Sequence, residues 1–68
     1  MAGKEKIERK LTKAEFVEYL RNLVAQVEQG YVMIGEKKID LPEEFELELK
    51  YKEEENKREV EWEIEWNI

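Results

Sequence analysis

The chain ends with Arg58-Glu-Val-Glu-Trp-Glu-Ile-Glu-Trp-Asn-Ile68, in which apolar and polar residues alternate from Val60 onward. A β-strand sends successive side chains to opposite faces, so this pattern predicts one apolar face and one acidic face. A helix would scatter tryptophan and glutamate around its whole circumference. We therefore predict a strand over residues 58–68 and ask what the rest of the chain packs against its apolar face.

One helix is predicted ahead of the strands. Thr12-Lys13-Ala14-Glu15 has the form of a capping box, in which the Thr12 hydroxyl and the Glu15 carboxylate each bind a backbone amide. Apolar residues at helical spacing follow from Phe16 to Val27, and Gly30 suits the position just after a helix. These signals predict a helix over about residues 13–29.

Three further strands are predicted between the helix and the last strand. Tyr31–Ile34 and Lys37–Leu41 flank Gly35-Glu36, and a glycine at the first central position suits a type II′ hairpin turn. Pairing across this turn places Val32 opposite Ile39. Residues 45–52 alternate strictly, with Phe45, Leu47, Leu49 and Tyr51 on the inward side, and residues 53–57 are predicted as a polar loop containing Asn56.

The segment 4–10 is a weaker candidate for a first strand, because Ile7 is its only apolar residue. Its outward side would carry mainly lysines, next to the glutamate row of the last strand, and opposite charges on neighbouring strands are favourable. Charge thus favours the first strand beside the last. The expected fold is α+β, a single domain over residues 1–68 with one helix on a four- or five-stranded antiparallel sheet in the order (β)αββββ.

Composition excludes several classes of function. The chain has no cysteine and no histidine, which excludes zinc, iron–sulfur and haem sites built on those ligands. It has no serine, and its only threonine is the predicted helix cap, so a catalytic triad cannot be assembled. Its three glycines stand singly and form no phosphate-binding loop. We expect no enzymatic activity and no cofactor.

Charge and hydropathy restrict the partners and the location. Residues 1–38 hold eight basic and six acidic side chains, whereas residues 39–68 hold four basic and twelve acidic ones, giving the net charge of −6. An acidic half repels phosphate backbones, so we expect no nucleic-acid partner. The first residues do not resemble a signal peptide, and the longest apolar run, Tyr31–Ile34, cannot span a membrane. We expect a soluble, cytoplasmic protein.

The aromatic residues of the predicted sheet form the first candidate site. These aromatic residues are Phe45, Tyr51, Trp62 and Trp66, and the terminal Ile68 is included in the candidate site with them. Five strands span about 20 Å, whereas one helix is about 10 Å across. Three outcomes remain open: the sheet curls around the helix, these residues stay exposed, or a second molecule covers them. An uncovered aromatic patch usually marks an interface, including one between two copies of the chain.

The carboxylates of the opposite face form the second candidate site. They are Glu46, Glu48, Glu61, Glu63 and Glu65. Such a row is ordinarily a solvated face that keeps the sheet from aggregating. The functional alternatives are docking of a basic protein segment and binding of divalent cations, although a flat row spaces its carboxylates along a plane and a calcium site needs them to converge.

Three stretches resemble a known family: Glu61-Trp-Glu-Ile-Glu-Trp66, Leu41-Pro-Glu-Glu-Phe-Glu-Leu-Glu-Leu49 and Lys13-Ala-Glu-Phe-Val-Glu-Tyr-Leu20. Together they are similar to the amphi-Trp domain, a small prokaryotic domain named for its amphipathic, tryptophan-bearing C-terminal strand. The resemblance extends from the N-terminal segment to Trp66. It implies the fold above and no activity or catalytic residues. We therefore expect a non-catalytic interaction module that binds a protein or itself through its tryptophan-bearing face or a strand edge.

Overall fold

A computed structural model describes residues 3–68 of the chain. Its elements are α1 (Lys13–Glu28), β1 (Tyr31–Ile34), β2 (Lys37–Asp40), β3 (Glu46–Glu54) and β4 (Lys57–Glu65). One helix followed by four antiparallel strands confirms that part of the predicted α+β order. The sheet is different from the prediction, because the strands form two separate two-stranded hairpins.

The start of α1 is the predicted capping box. The Thr12 hydroxyl accepts a hydrogen bond from the amide of Glu15 at 3.1 Å, and the Glu15 carboxylate accepts one from the amide of Thr12 at 2.9 Å. The bond to the Thr12 amide is the main reason why the pKa of Glu15 lies below its usual value. Gly30 follows the helix with φ +93°, a conformation that glycine adopts without strain.

Lowering the pH should weaken this end of α1. The folded pKa of Glu15 lies below its usual value of 4.5, so the ionised carboxylate stabilises the helix above that pH and its contribution is lost as the pH falls through the folded pKa. Circular dichroism across an acid titration measures the loss. Thr12→Ala should cost about 1 kcal/mol at neutral pH, and Thr12→Ser should cost little. Equal stability of the Ala and Ser variants would show that the box contributes nothing.

The hairpin of β1 and β2 packs on α1. Val32 lies opposite Ile39, as predicted, and Gly35 has φ +60° in the two-residue turn. The helix approaches the open edge of β1, where the Gln26 side chain accepts a hydrogen bond from the amide of Met33 at 3.1 Å. This helix and hairpin form one half of the molecule.

The hairpin of β3 and β4 forms the other half. Its register places Leu49 opposite Trp62, and the expected loop 53–57 shrinks to the two-residue turn at Glu55 and Asn56. The ladder therefore runs closer to the turn than predicted, whereas β4 ends at Glu65, three residues before the predicted end of the last strand. Opposite charges face each other beside the turn, with Glu53 opposite Arg58, which favours continuing the ladder up to it. Asparagine tolerates a positive φ in tight turns, but Asn56 does not adopt one here.

Two predictions about the sheet are wrong. The two hairpins do not join into one sheet. The residues between β2 and β3, 41–45, form no strand, and they include Pro42, which has no amide to donate. Segment 4–10 is irregular and does not pair with β4. Ile7 lies instead against the turn of the first hairpin, where a Cβ on Gly35 would come within 3.1 Å of its Cδ1. One apolar side chain is too little to anchor a strand in the sheet.

No residue between 3 and 68 is buried. The accessible surface is 6942 Å², whereas a folded monomer of 8.3 kDa exposes about 4,600 Å². The radius of gyration is 14.0 Å, against about 11 Å for a globular chain of 68 residues. The chain is therefore extended. Within residues 3–68 its apolar side chains do not come together into a buried core.

Candidate functional site

The alternation of β3 and β4 builds one continuous apolar surface. Its central cross-strand pairs are Leu49 with Trp62 and Tyr51 with Val60, and the next pair is Leu47 with Ile64. We call these six residues the hairpin apolar face. Because directly opposed side chains in an antiparallel pair lie about 5 Å apart, the six form a contiguous patch.

The hairpin apolar face is open to solvent. Five of its six side chains are 61–67% exposed, and Ile64 alone is half-buried. Of the three outcomes that the sequence left open, a sheet curled around the helix is therefore not the one observed, since Trp62 itself is 61% exposed. Among the described elements, no Cα atom of α1 or of the first hairpin lies within 8 Å of β3 or β4.

The helix and the second hairpin share the lining of one cavity. Phe16 of α1 lines it together with Val60 and Trp62, and its volume is about 320 Å³. Phe16 is itself 40% exposed. The helix therefore borders the hairpin apolar face at one place and leaves the rest of it uncovered.

The end of the hairpin away from the turn carries an aromatic pair. The rings of Phe45 and Trp66 lie 6.4 Å apart at an interplanar angle of 52°, a tilted geometry that aromatic pairs favour. Trp66 is half-buried. Ile68 lies beyond the end of β4 and is fully exposed, so the structure does not bring this predicted site residue into the face.

The turn end of the hairpin carries a polar network. The Tyr51 hydroxyl donates to the Glu53 carboxylate at 2.8 Å, and Arg58 contacts the same carboxylate at 3.2 Å. The bond to Glu53 is the main cause of the raised pKa of Tyr51. Arg58 also donates to the backbone oxygen of Glu54 at 2.7 Å. These bonds fix the turn and give the apolar face a charged rim.

The acidic face lies on the other side of the same hairpin, and it contains all five predicted carboxylates. Glu46 lies opposite Glu65, and Glu48 lies opposite Glu63, so like charges face each other at the open end. Nearer the turn, Lys50 lies opposite Glu61. The face is thus repulsive at one end and complementary towards the other.

The ion pairs of the acidic face run along the strands. Lys50 contacts Glu48 at 3.5 Å, and Lys57 contacts Glu59 at 2.9 Å. Glu48 is the main cause of the raised pKa of Lys50, with Glu61 and Glu63 adding to it. The hydrogen bond from Lys57 is the main cause of the lowered pKa of Glu59. All these side chains are solvated, and no group of three acidic residues in positions 3–68 converges as a metal ion requires.

Sequence reasoning missed part of the site. Leu47, Leu49 and Val60 are as exposed as Trp62, yet the sequence assigned them to the interior and named mainly aromatic residues as candidates. The sheet is predicted to be wider than the helix, and this difference could have identified Leu47, Leu49 and Val60 as candidates too. It applies to every inward residue of these strands, whether aromatic or aliphatic.

No helix within residues 3–68 has the length and apolarity to cross a membrane. No curated protein and no solved structure matches the chain. The family model of the Amphi-Trp domain matches residues 3–68, which include the helix, both hairpins and both tryptophans. The resemblance seen in the sequence is thereby confirmed over nearly the whole chain, and the chain belongs to the Amphi-Trp domain family.

Proposed function

We propose that this chain is a non-catalytic interaction module that binds protein through the hairpin apolar face. The observation that carries the proposal is the contiguous exposure of Leu49, Trp62 and their neighbours on one side of β3 and β4. A monomeric protein rarely leaves so continuous an apolar patch in water, and such patches mark interaction sites. The face also has the polar rim that surrounds the apolar centre of an interface, supplied by Glu53 and Arg58.

The marginal stability of a lone hairpin supports the same proposal. A two-stranded sheet without a covering layer is at best marginally stable in water. In residues 3–68, β3 pairs only with β4, and no described element covers their apolar side. Binding of a partner to this side adds the missing layer, so the free energy of binding also stabilises the hairpin.

The apolar face is a better candidate than either strand edge. An edge binds by adding a strand, which places new side chains beside both faces of the hairpin. On the acidic side of β4 the neighbour would meet Glu59, Glu61 and Glu63, so only a basic strand would fit. Contact through the apolar face involves none of these carboxylates.

A second candidate function is docking of a basic protein segment on the acidic face. The specific observation in its favour is that glutamates lie opposite each other at two positions of the ladder, Glu46 with Glu65 and Glu48 with Glu63. A cationic side chain placed between these carboxylates would relieve their repulsion. Divalent cations would act there only as loosely held counterions, since the carboxylates do not converge.

Two neighbouring substitutions on β3 separate the two candidates. Leu49→Gln places a polar group in the hairpin apolar face, whereas Glu48→Gln removes one charge from the acidic face and leaves the apolar face intact. The purified chain, immobilised at low density, is exposed to a cell extract in low salt and, separately, in high salt. We expect the wild-type chain and the Glu48→Gln variant to retain the same proteins and Leu49→Gln to lose them.

The opposite pattern would contradict the apolar face. Proteins lost with Glu48→Gln, lost in high salt and kept with Leu49→Gln would assign binding to the acidic face, because salt screens exposed charges and leaves apolar contacts in place. Retention by all three chains would place the binding surface outside this hairpin. Circular dichroism of each variant confirms that the strands persist.

A further inference from the structure

We propose that the protein covering the hairpin apolar face is a second copy of this chain, joined to the first by a two-fold axis with the two faces in contact. This inference rests on the proposed function, because it names the partner of the same surface. It does not follow from that function, since a face of this kind would also accept an unrelated protein.

The exposed area is the first argument. The chain exposes 6942 Å², which exceeds by about 2,300 Å² the surface of a monomeric protein of its mass. A standard interface takes about 800 Å² from each partner, and obligate homodimers bury about 2,000–5,000 Å² in total. The excess of each chain is larger than a standard interface requires. It is spread over the whole chain, and the hairpin apolar face supplies part of it.

The absence of any interior is the second argument. No residue in the described part of the chain is buried, so residues 3–68 gain an interior only when a partner covers them. A partner that supplies this interior to every molecule must be present in at least equal amount. A second copy of the chain meets this condition, because every molecule synthesised supplies one.

Charge disfavours one alternative, in which the two copies pair edge to edge through their β4 strands. If β4 of one copy paired edge to edge with β4 of another, the glutamate rows of the two acidic faces would lie side by side and repel. Packing face to face puts Leu49, Trp62 and their neighbours between the hairpins and leaves both acidic faces on the outside. The sheets would then be about 10 Å apart, as in a β-sandwich.

Phe16 gives the dimer a further contact. It lies at the border of the face, where it lines the cavity of 320 Å³ with Val60 and Trp62. A side chain from the second hairpin entering this cavity would be in contact with the helix of the first chain. The cavity is apolar, so an apolar residue of the partner fits it and a carboxylate does not.

The solution mass tests this proposal. Sedimentation equilibrium of the whole chain, from micromolar to near-millimolar concentration, should give twice 8.3 kDa in both low and high salt. Leu49→Gln should raise the dissociation constant at least tenfold, while Glu48→Gln should leave it within about twofold, since a polar group in an interface centre costs far more than a change on its outside.

A second measurement does not depend on how an interface variant folds. In the chain carrying Trp66→Phe, Trp62 is the only tryptophan, and acrylamide quenching of its fluorescence reports its accessibility. Quenching should increase as the protein is diluted and the dimer dissociates. Quenching that is strong and independent of concentration would show that no second copy covers Trp62.

The outcomes distinguish this inference from the proposed function. A monomer at every concentration overturns the second copy as partner, yet the proposed function stands if the immobilised chain still retains proteins through Leu49. A dimer that Leu49→Gln leaves intact, or one that dissociates in high salt, overturns the face-to-face arrangement. If the capture of other proteins is also insensitive to Leu49→Gln, the proposed function fails with it.

Discussion

Trp62→Ala should weaken association through the hairpin apolar face by roughly 30-fold or more, while leaving the fold of the isolated chain largely intact. Trp62 lies opposite Leu49 in the middle of the face and is 61% exposed, so it contributes little to packing within the chain. Tryptophans at the centre of an interface are typical hot spots, worth about 2 kcal/mol or more. At 1.4 kcal/mol for each factor of ten, this corresponds to the expected change in the dissociation constant.

Trp66→Ala is the matched control, because it removes the same side chain from the same strand face. Trp66 lies just past the end of β4 and is half-buried against Phe45, with ring centroids 6.4 Å apart. An aromatic pair contributes about 0.5–1.5 kcal/mol beyond the area that it buries. We therefore expect this variant to loosen the open end of the hairpin, with a smaller effect on association.

Two measurements separate the roles of the tryptophans. Sedimentation equilibrium gives the dissociation constant of each variant, and hydrogen exchange gives the protection of the β3 and β4 amides in the monomer. A loss of monomer protection in Trp62→Ala equal to that in Trp66→Ala would show that Trp62 supports the fold. Equal dissociation constants for the two variants would show that the centre of the face has no special role.

The sequence predicted the local elements because their signals are local. The reciprocal bonds of Thr12 and Glu15 depend on residues three apart, and the register of the first hairpin depends on Gly35 alone at its turn. Both are confirmed. The pairing of β3 with β4 follows in the same way from alternation across a short connection, even though the ladder continues closer to the turn than predicted.

The association of the hairpins could not be predicted in the same way, because it depends on contacts between distant parts of the chain. Alternation shows which side of a strand is apolar, but it does not show what covers that side. Charge suggested that the segment 4–10 lies beside β4, yet exposed charge pairs contribute little, and Ile7 lies at the turn of the first hairpin. Pro42, which has no amide to donate, marks the connection where the ladder stops.

The candidate site was predicted in part for the same reason. A five-stranded sheet is wider than one helix, which indicated that some apolar side chains would remain uncovered. Trp62 and Tyr51 are among the side chains that are exposed. Restricting the candidates to mainly aromatic residues left out Leu49 and Val60, although exposure in a strand depends on position in the pleat and applies equally to aliphatic residues.

Glu63→Lys should stabilise the second hairpin, and Glu61→Lys should destabilise it. The two substitutions make the same charge change at neighbouring positions of one strand face. Glu63 lies opposite Glu48, so a lysine there replaces a repulsion with an attraction, whereas Glu61 lies opposite Lys50, so a lysine there does the reverse. For a domain of this size, each change should shift the melting temperature by about 4 °C, upwards for Glu63→Lys and downwards for Glu61→Lys.

The opposite signs are what make the comparison informative. Both variants change the net charge of −6 by the same amount, so an effect of total charge would shift both melting temperatures in the same direction. A cross-strand effect shifts them in opposite directions, and the difference should shrink in high salt because these side chains are exposed. If both variants gain stability equally, the like-charged pairs do not destabilise the hairpin. Docking of a basic segment on the acidic face would then have no repulsion to relieve.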